Sequence, residues 1–293
     1  MANSLKIWLM AARPKTLWAG VCPVIIGTAM AYRIDALHMP SAIAAAMGAI
    51  LIQIGTNLAN DYFDHVKGAD TSERIGPLRA TQAGLISPRT MLLAAIIIFL
   101  LACVPGLYIV YRGGLPFVII GLVSILCGIL YTGGPYPLGY LGLGDLFVLI
   151  FFGPVAVGGT FYLQTHSLTF DAILAGLSTG LFSVAILTVN NLRDITQDRA
   201  AGKKTLPVRF GPTFAKAEYI AALVVAAFFI PLTLVLYTGA PGVLISSAIL
   251  FLSVPVVRTV LTKTDGAALN DALAATGKLL LAFSLLFSVG WNL

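Results

Sequence analysis

The sequence predicts an all-α protein, a polytopic membrane helical bundle of nine transmembrane helices, and three observations carry that reading. The first is composition. Of 293 residues 58% are hydrophobic and 10% charged, whereas a soluble domain keeps about 25% charged to hold its surface in water. The second is run length: a hydrocarbon core about 30 Å thick needs roughly 20 apolar residues per helix, and nine such runs are present. The third is the lack of the ~10-residue alternation of a membrane barrel, which leaves helices to satisfy backbone amides in lipid. A soluble globular chain is excluded.

In chain order, the first run (16–34) follows Lys6, Arg13 and Lys15, and the second (40–58) follows a short turn with Arg33. A long polar loop (58–89) carries Lys67, Arg74, Arg79 and Arg89 before the third run (90–110). Arg112 precedes the fourth run (115–132), and the fifth (143–163) and sixth (170–189) come next. A second long loop (190–216) holds Arg193, Arg199, Lys203, Lys204, Arg209 and Lys216. The seventh (217–237) and eighth (241–261) runs lead to Arg258 and Lys263, and the ninth (272–290) contains Lys278. Fifteen of the 18 basic residues thus fall on the N-terminal side, so the positive-inside rule predicts a multi-pass cell-membrane protein. Its N-terminus and both long loops are expected to be cytoplasmic, and its C-terminus to lie opposite. Ala29-Met30-Ala31 resembles a signal-peptidase site, but the inner charges Arg13 and Lys15 and the length of the run predict that this helix is retained. Residues 1–293 are read as a single transmembrane domain.

The two long loops are the expected seat of function, and each opens on an acid string. In the first, Asn57, Asp61 and Asp64 are spaced i, i+4, i+7 on a continuation of the second helix and share a face. In the second, Asn190, Asp194 and Asp198 stand at i, i+4, i+8. Carboxylates near hydrocarbon cost up to about 2.5 to 3.5 kcal/mol each, so a cation is needed among them. Magnesium suits oxygen ligands that leave room for water and phosphate, and no soft ligand accompanies these acids. The rival account is helix capping and salt bridging with Arg193, Arg199 and Lys67. Arg74 and Arg79 after the first string, and Lys203, Lys204 and Arg209 after the second, complete the pattern of a diphosphate site. Asp35, Asp70, Glu73, Asp145, Asp171, Glu218, Asp265 and Asp271 are read as solvated or capping residues.

Cys22, Cys103 and Cys127 are read as small buried side chains, since an odd, scattered set fits neither disulfides nor a metal motif. His38, His65 and His166 match no zinc pattern. No Ser/His/Asp or Cys/His arrangement occurs in the cytoplasmic motifs, so no strong protein nucleophile is expected.

Several strings resemble one family: N-D-Y-F-D-H-V-K-G-A-D (60–70), E-R-I-G-P-L-R (73–79), Y-T-G-G-P-Y-P-L-G-Y-L-G-L-G-D (131–145) and N-N-L-R-D-I-T-Q-D-R-A-A-G-K-K-T-L-P-V-R-F-G (190–211). They resemble the UbiA superfamily of intramembrane aromatic prenyltransferases. With A-R-P-K-T-L (12–17) they resemble in particular its 1,4-dihydroxy-2-naphthoate polyprenyltransferase branch, of the menaquinone pathway. The resemblance implies helices around a central cavity, a cytoplasmic cap, and Mg²⁺ held by two N-x-x-x-D-x-x-x-D motifs. The second motif fits at Asn190, Asp194 and Asp198. The first, counted from Asn60, gives Asp64 and then Gly68, with Asp70 two residues later, a shift that looks like the naphthoate branch. Tyr136 lacks the following lysine of the hydroxybenzoate relatives, and Asp145 stands where that branch implies glutamate.

The implied reaction transfers a polyprenyl chain from polyprenyl diphosphate to 1,4-dihydroxy-2-naphthoate, with loss of CO₂. Asp61, Asp64, Asp194 and Asp198 are the candidate metal ligands and catalytic acids. Candidate substrate contacts are Asn57, Asn60, Asn190, Arg13, Arg74, Arg79, Lys203, Lys204, Arg209, Tyr131 and Tyr136, with Lys15 beside Arg13 on the first helix. Tyr62, Phe63 and Tyr140 join the two named tyrosines as candidate aromatic walls for the ring or a cation. The expected partners are the two substrates and the bilayer, with no nucleic acid and no protein partner. Two alternatives stand: a prenyltransferase for 4-hydroxybenzoate or another phenol, and a secondary transporter, which would place its acids near the midplane.

Overall fold

The computed structural model describes residues 2–68, 76 and 78–293, and among them there are helices and no strands. A short helix outside the nine runs, α1 (Ala2–Ala12), comes first. It ends at Arg13, whose left-handed backbone (φ 53°) turns the chain into a 3₁₀ turn at Pro14–Thr16. The nine runs follow as nine helical passes among the described residues. They are α2 (Trp18–Arg33), α3 (Met39–Val66), α4 (Pro88–Gly113), α5 (Leu115–Leu130), α6–α7 (Gly144–Thr165), α8 (Phe170–Arg193), α10–α11 (Leu206–Thr238), α12 (Pro241–Thr262, opening as 3₁₀) and α13 (Gly266–Trp291). A further short helix, α9 (Ile195–Ala200), lies between α8 and α10. Seven passes are long and apolar enough to cross a membrane, while α2 and α5 have 16 residues each. The protein is a multi-pass membrane protein.

Large apolar side chains such as Leu100, Leu107, Leu236 and Phe251 are exposed, which suits a surface facing hydrocarbon rather than water. Helix α8 is the central post. It packs against α2, α6, α7, α10, α11 and α13, and most of its residues are buried. Its interior hydroxyls are satisfied locally, Ser183 donating to the Thr179 carbonyl at 2.8 Å and Ser178 to the Ala226 carbonyl of the neighbouring helix at 2.8 Å. Such bonds let polar side chains sit inside a membrane bundle without an orphaned donor.

Two passes are bent, and sequence explains both. Between α6 (Gly144–Ile150) and α7 (Ala156–Thr165), a wide turn at Phe151–Val155 holds Gly153 off helical geometry next to Pro154, the kind of site where helices kink. At the head of α10 (Leu206–Val224), Gly211 has φ 88°, and Pro212 restarts the helix; α11 (Ile230–Thr238) completes the pass beyond a second wide turn. The expected loop 190–216 is therefore largely helical. Two cysteines also depart from the expected burial: Cys22 is buried, but Cys103 is exposed and Cys127 half-buried.

The bend at Gly153 lets α8 approach backbone to backbone. A Cβ on Gly176 would stand 2.8 Å from Gly153 and Pro154 backbone atoms, so Gly176→Ala must force the helices apart. Overpacking of this kind costs about 1–3 kcal/mol. The expected outcome is a lower thermal midpoint for detergent-purified Gly176→Ala, with Gly106→Ala, whose added Cβ meets nothing within 4 Å, close to wild type.

Candidate active site

The two acid strings meet at one end of the bundle. Helix α3 runs on past the apolar stretch because nothing between Gly55 and Gly68 breaks it. It stops where Gly68, at φ 67°, provides the left-handed cap. Its last turns carry Asn57, Asn60, Asp61 and Asp64, all buried. Helix α8 ends at Arg193, and Asp194 (φ −95°, ψ 9°) hinges into α9. The i to i+4 bonds persist across the hinge, Asp194 N–H to the Asn190 carbonyl at 3.1 Å and Asp198 N–H to the Asp194 carbonyl at 2.8 Å. The second triad thus keeps one face despite the break.

A cavity of about 230 Å³ lies between the strings. Asn57, Asn60 and Asp64 line it from α3, and Asn190, Asp194 and Asp198 from the α8–α9 hinge. One ammonium joins the two halves: Lys203 Nζ is 3.2 Å from Asp64 Oδ1 and 3.8 Å from Asp198 Oδ1. Lys203 also lies 4.9 Å from the centre of the Tyr140 ring, and Lys67 Nζ sits at the same distance from that ring. The Tyr140 hydroxyl donates to Asp64 Oδ1 at 3.3 Å, and Arg79 Nη2 is 3.4 Å from Asp64 Oδ2. Burial holds the Lys67 ammonium below its ordinary pKa, with Asp64 opposing and Lys203 adding to that fall. Arg193 grips Asp194 through two bonds of 2.7 and 2.6 Å and donates to Asn190 and Asn270 as well. The salt-bridge account from sequence therefore holds for Asp194 with Arg193.

A second, apolar cavity of about 520 Å³ adjoins the first, within α2 to α7. Five residues line both: Gln53, Thr56, Tyr131, Val148 and Phe152.

Arg13, Arg79, Tyr131 and Lys203 line the polar cavity as expected contacts would. Other candidates are corrected by their surroundings. Asp61 faces away: its two carboxylate oxygens accept the backbone N–H groups of Ala80 and Thr81 at 3.1 Å each, anchoring the first long loop. Tyr136 is 76% exposed and outside both cavity walls. Lys204 is exposed and outside the polar cavity, and its backbone ties the loop to the Tyr140 carbonyl. Arg209 donates to the Lys204 and Leu141 carbonyls and staples that loop. Tyr62 and Phe63 pack edge to face with each other and against the core that α3 shares with α1 and α4, and neither lines a cavity. Arg74, with Asp70 and Glu73, lies outside the described residues. Asp145 and Glu218 are half-buried rather than solvated, Glu218 accepting a bond from Thr188 at 3.3 Å.

Sequence reading missed Gln53, Thr132, Asn191 and Gln197 in the polar wall. Thr132 donates to Asn60 Oδ1 at 2.8 Å and so sets that amide. Among the described residues no three acids converge tightly enough to chelate an ion by themselves. The donor set around the cavity is nevertheless hard oxygen throughout, from Asp64, Asp194, Asp198 and the asparagine carbonyls. That set fits a magnesium ion, which takes one or two carboxylates and completes its octahedron with water and phosphate oxygens.

A multi-pass helical bundle with acid strings at one end and an apolar cavity beside them is the architecture of an intramembrane enzyme for lipid substrates. The model of the UbiA prenyltransferase family matches residues 20–288, and the chain belongs to that family. It is similar to the Escherichia coli protein named 1,4-dihydroxy-2-naphthoate octaprenyltransferase, at 40% identity across 97% of this chain and 94% of that one. The Haemophilus influenzae protein of the same name is 36% identical, across 98% of this chain and 96% of its own. In fold the chain is similar to a UbiA homolog from Archaeoglobus fulgidus bound to GPP and Mg²⁺, with TM-score 0.66 and 16% identity over 98% of this chain and all of that one.

The geometry separates two neighbouring aspartates. Asp61→Asn leaves one of two buried amides facing an NH₂ group, at a cost of about 1–3 kcal/mol. The expected result is a lower thermal midpoint and faster proteolysis near residues 80–81, with divalent-ion binding retained.

Proposed function

We propose that the chain transfers a polyprenyl group from polyprenyl diphosphate to 1,4-dihydroxy-2-naphthoate, releasing CO₂ and diphosphate and giving demethylmenaquinol. The observation that carries this reading is the adjacency of the two cavities: an acid-lined chamber suited to a charged head shares five wall residues with an apolar one suited to a hydrocarbon tail. Each buried methylene contributes about 0.8 kcal/mol, which favours keeping such a tail in an apolar cavity. The relatives' names supply the acceptor.

In this reading Asp64, Asp194 and Asp198 would hold Mg²⁺, and Asn57, Asn60 and Asn190 would orient phosphate oxygens beside it. When bound, the ion neutralises the diphosphate and stabilises it as leaving group. Lys203, Arg79 and Arg13 add positive charge around the same oxygens. The C1–oxygen bond breaks with its electron pair going to diphosphate, leaving an allylic cation in the neck between the cavities. The ring of Tyr131 offers that cation a π face. The electron-rich ring carbon bearing the carboxylate forms the new bond to C1. Carboxylate then leaves as CO₂, and its bonding pair restores aromaticity. Residues 1–293 form one domain, with the N-terminus and the acid strings on the cytoplasmic side and the C-terminus opposite, as the distribution of basic residues implies. The acids stand at helix ends rather than midway along the passes, which disfavours a transporter.

Membranes containing the protein, given Mg²⁺, a polyprenyl diphosphate and 1,4-dihydroxy-2-naphthoate, are expected to form prenylated product and CO₂ in equal amounts. With 4-hydroxybenzoate no CO₂ and little product should appear. Chelation of divalent ions should abolish turnover, restored by Mg²⁺. Asp64→Asn should lower turnover by about a hundredfold or more while leaving the protein inserted. Robust prenylation of hydroxybenzoate without CO₂ would transfer the assignment to the other branch.

A further inference from the structure

In a prenyl diphosphate, C1 is the atom joining the charged head to the hydrocarbon tail. With the head in the polar cavity and the tail in the apolar one, C1 must lie in the neck, and the acceptor carbon must reach it there. The neck is made by Gln53, Thr56, Tyr131, Val148 and Phe152. Val148 and Phe152 offer only apolar surface. The Thr56 hydroxyl is turned against Gly128, and the Tyr131 hydroxyl points to Gly144, 3.0 Å from where a Cβ there would stand. That leaves the Gln53 amide, which is half-buried at the mouth of the apolar cavity and makes no hydrogen bond among the described residues. A primary amide with two donors and an acceptor has no structural reason to stand beside a hydrocarbon tail.

We propose that Gln53 is the positioning residue for the aromatic acceptor, its amide hydrogen-bonding one ring hydroxyl so that the carboxylate-bearing carbon faces C1. The assignment rests on the transfer reaction proposed above. Gln53 stands one turn before Asn57 on α3, so a single rigid helix sets both the metal-side residues and the acceptor's orientation. In this assignment the amide serves the acceptor and not the diphosphate or the ion. Its loss therefore falls on one substrate alone.

The test measures KM for each substrate in membranes containing wild type and Gln53→Leu. It uses the full acceptor and two naphthoates that each lack one ring hydroxyl, with competitive inhibition constants where turnover is slow. Gln53→Leu is expected to raise the KM of the full acceptor about tenfold, leaving the KM of polyprenyl diphosphate within about twofold. The analogue lacking the bonded hydroxyl should show no difference between wild type and variant, while the other keeps it. A parallel rise in both substrates' KM, no change in either, or an equal penalty on all three acceptors overturns the proposal. Should Gln53→Leu fail to insert, Gln53→Asn, one methylene shorter, is expected to show the same split. A wild type that forms no product refutes the parent reaction instead, whereas an active wild type without the split refutes this assignment alone.

Discussion

Everything at this site follows from carboxylates gathered where helices end in carbonyls. Helices α3 and α8 both present their C-termini to the polar cavity, and a helix C-terminus carries about half a negative charge. Adding Asp64, Asp194 and Asp198 there creates a field that water cannot fully screen, because the side chains are buried. Such a cluster persists only with cations among its members. Arg79 from the first long loop and Arg193 and Lys203 from the second supply that charge, so the same ion pairs tie the two halves of the cap together.

The apolar side of the enzyme is set by a second constraint. A substrate with a charged head and a long hydrocarbon tail requires two adjoining chambers of opposite character, and the bundle builds them from helices that serve both. Helix α3 contributes Ala45, Gly48 and Ile52 to the apolar wall and Asn57, Asn60 and Asp64 to the polar one, with Gln53 and Thr56 between. The register of one straight helix thereby fixes the distance from tail to head. Val148 and Phe152, from the pass that bends at Gly153 and Pro154, complete the shared wall from the other side.

The acid strings share one broad face, and one member of the first is turned out of the cavity. At about 100° per residue, Gln53, Asn57, Asn60 and Asp64 fall within about 60° of arc, while Asp61 lies on the flank nearer the returning loop. The i, i+4, i+7 pattern could not tell Asp61 from Asp64, because both belong to the same broad face; the amides of Ala80 and Thr81 decide between them. Similar reasoning separates Lys203 from Lys204 and Tyr140 from Tyr136. Neighbouring or nearby residues of one type looked equivalent, and only the path of the loop turns one inward. Arg209 had the charge of a phosphate ligand but spends its donors on two carbonyls of the cap. Gln53 was legible in the same helical arc, yet nothing in an apolar run marks an amide as functional until a cavity is seen beside it.

The sequence by itself determined the membrane bundle, because run length is a local quantity set by the bilayer, and its motif strings carried the resemblance to the family, because they too are read along one stretch of chain. The tertiary structure alone decided which acids face one another, which cation bridges them and where the polar chamber meets the apolar one. Those relations join residues more than a hundred positions apart, such as Asp64 and Lys203. Their distances come from packed backbones, not from any spacing along the chain.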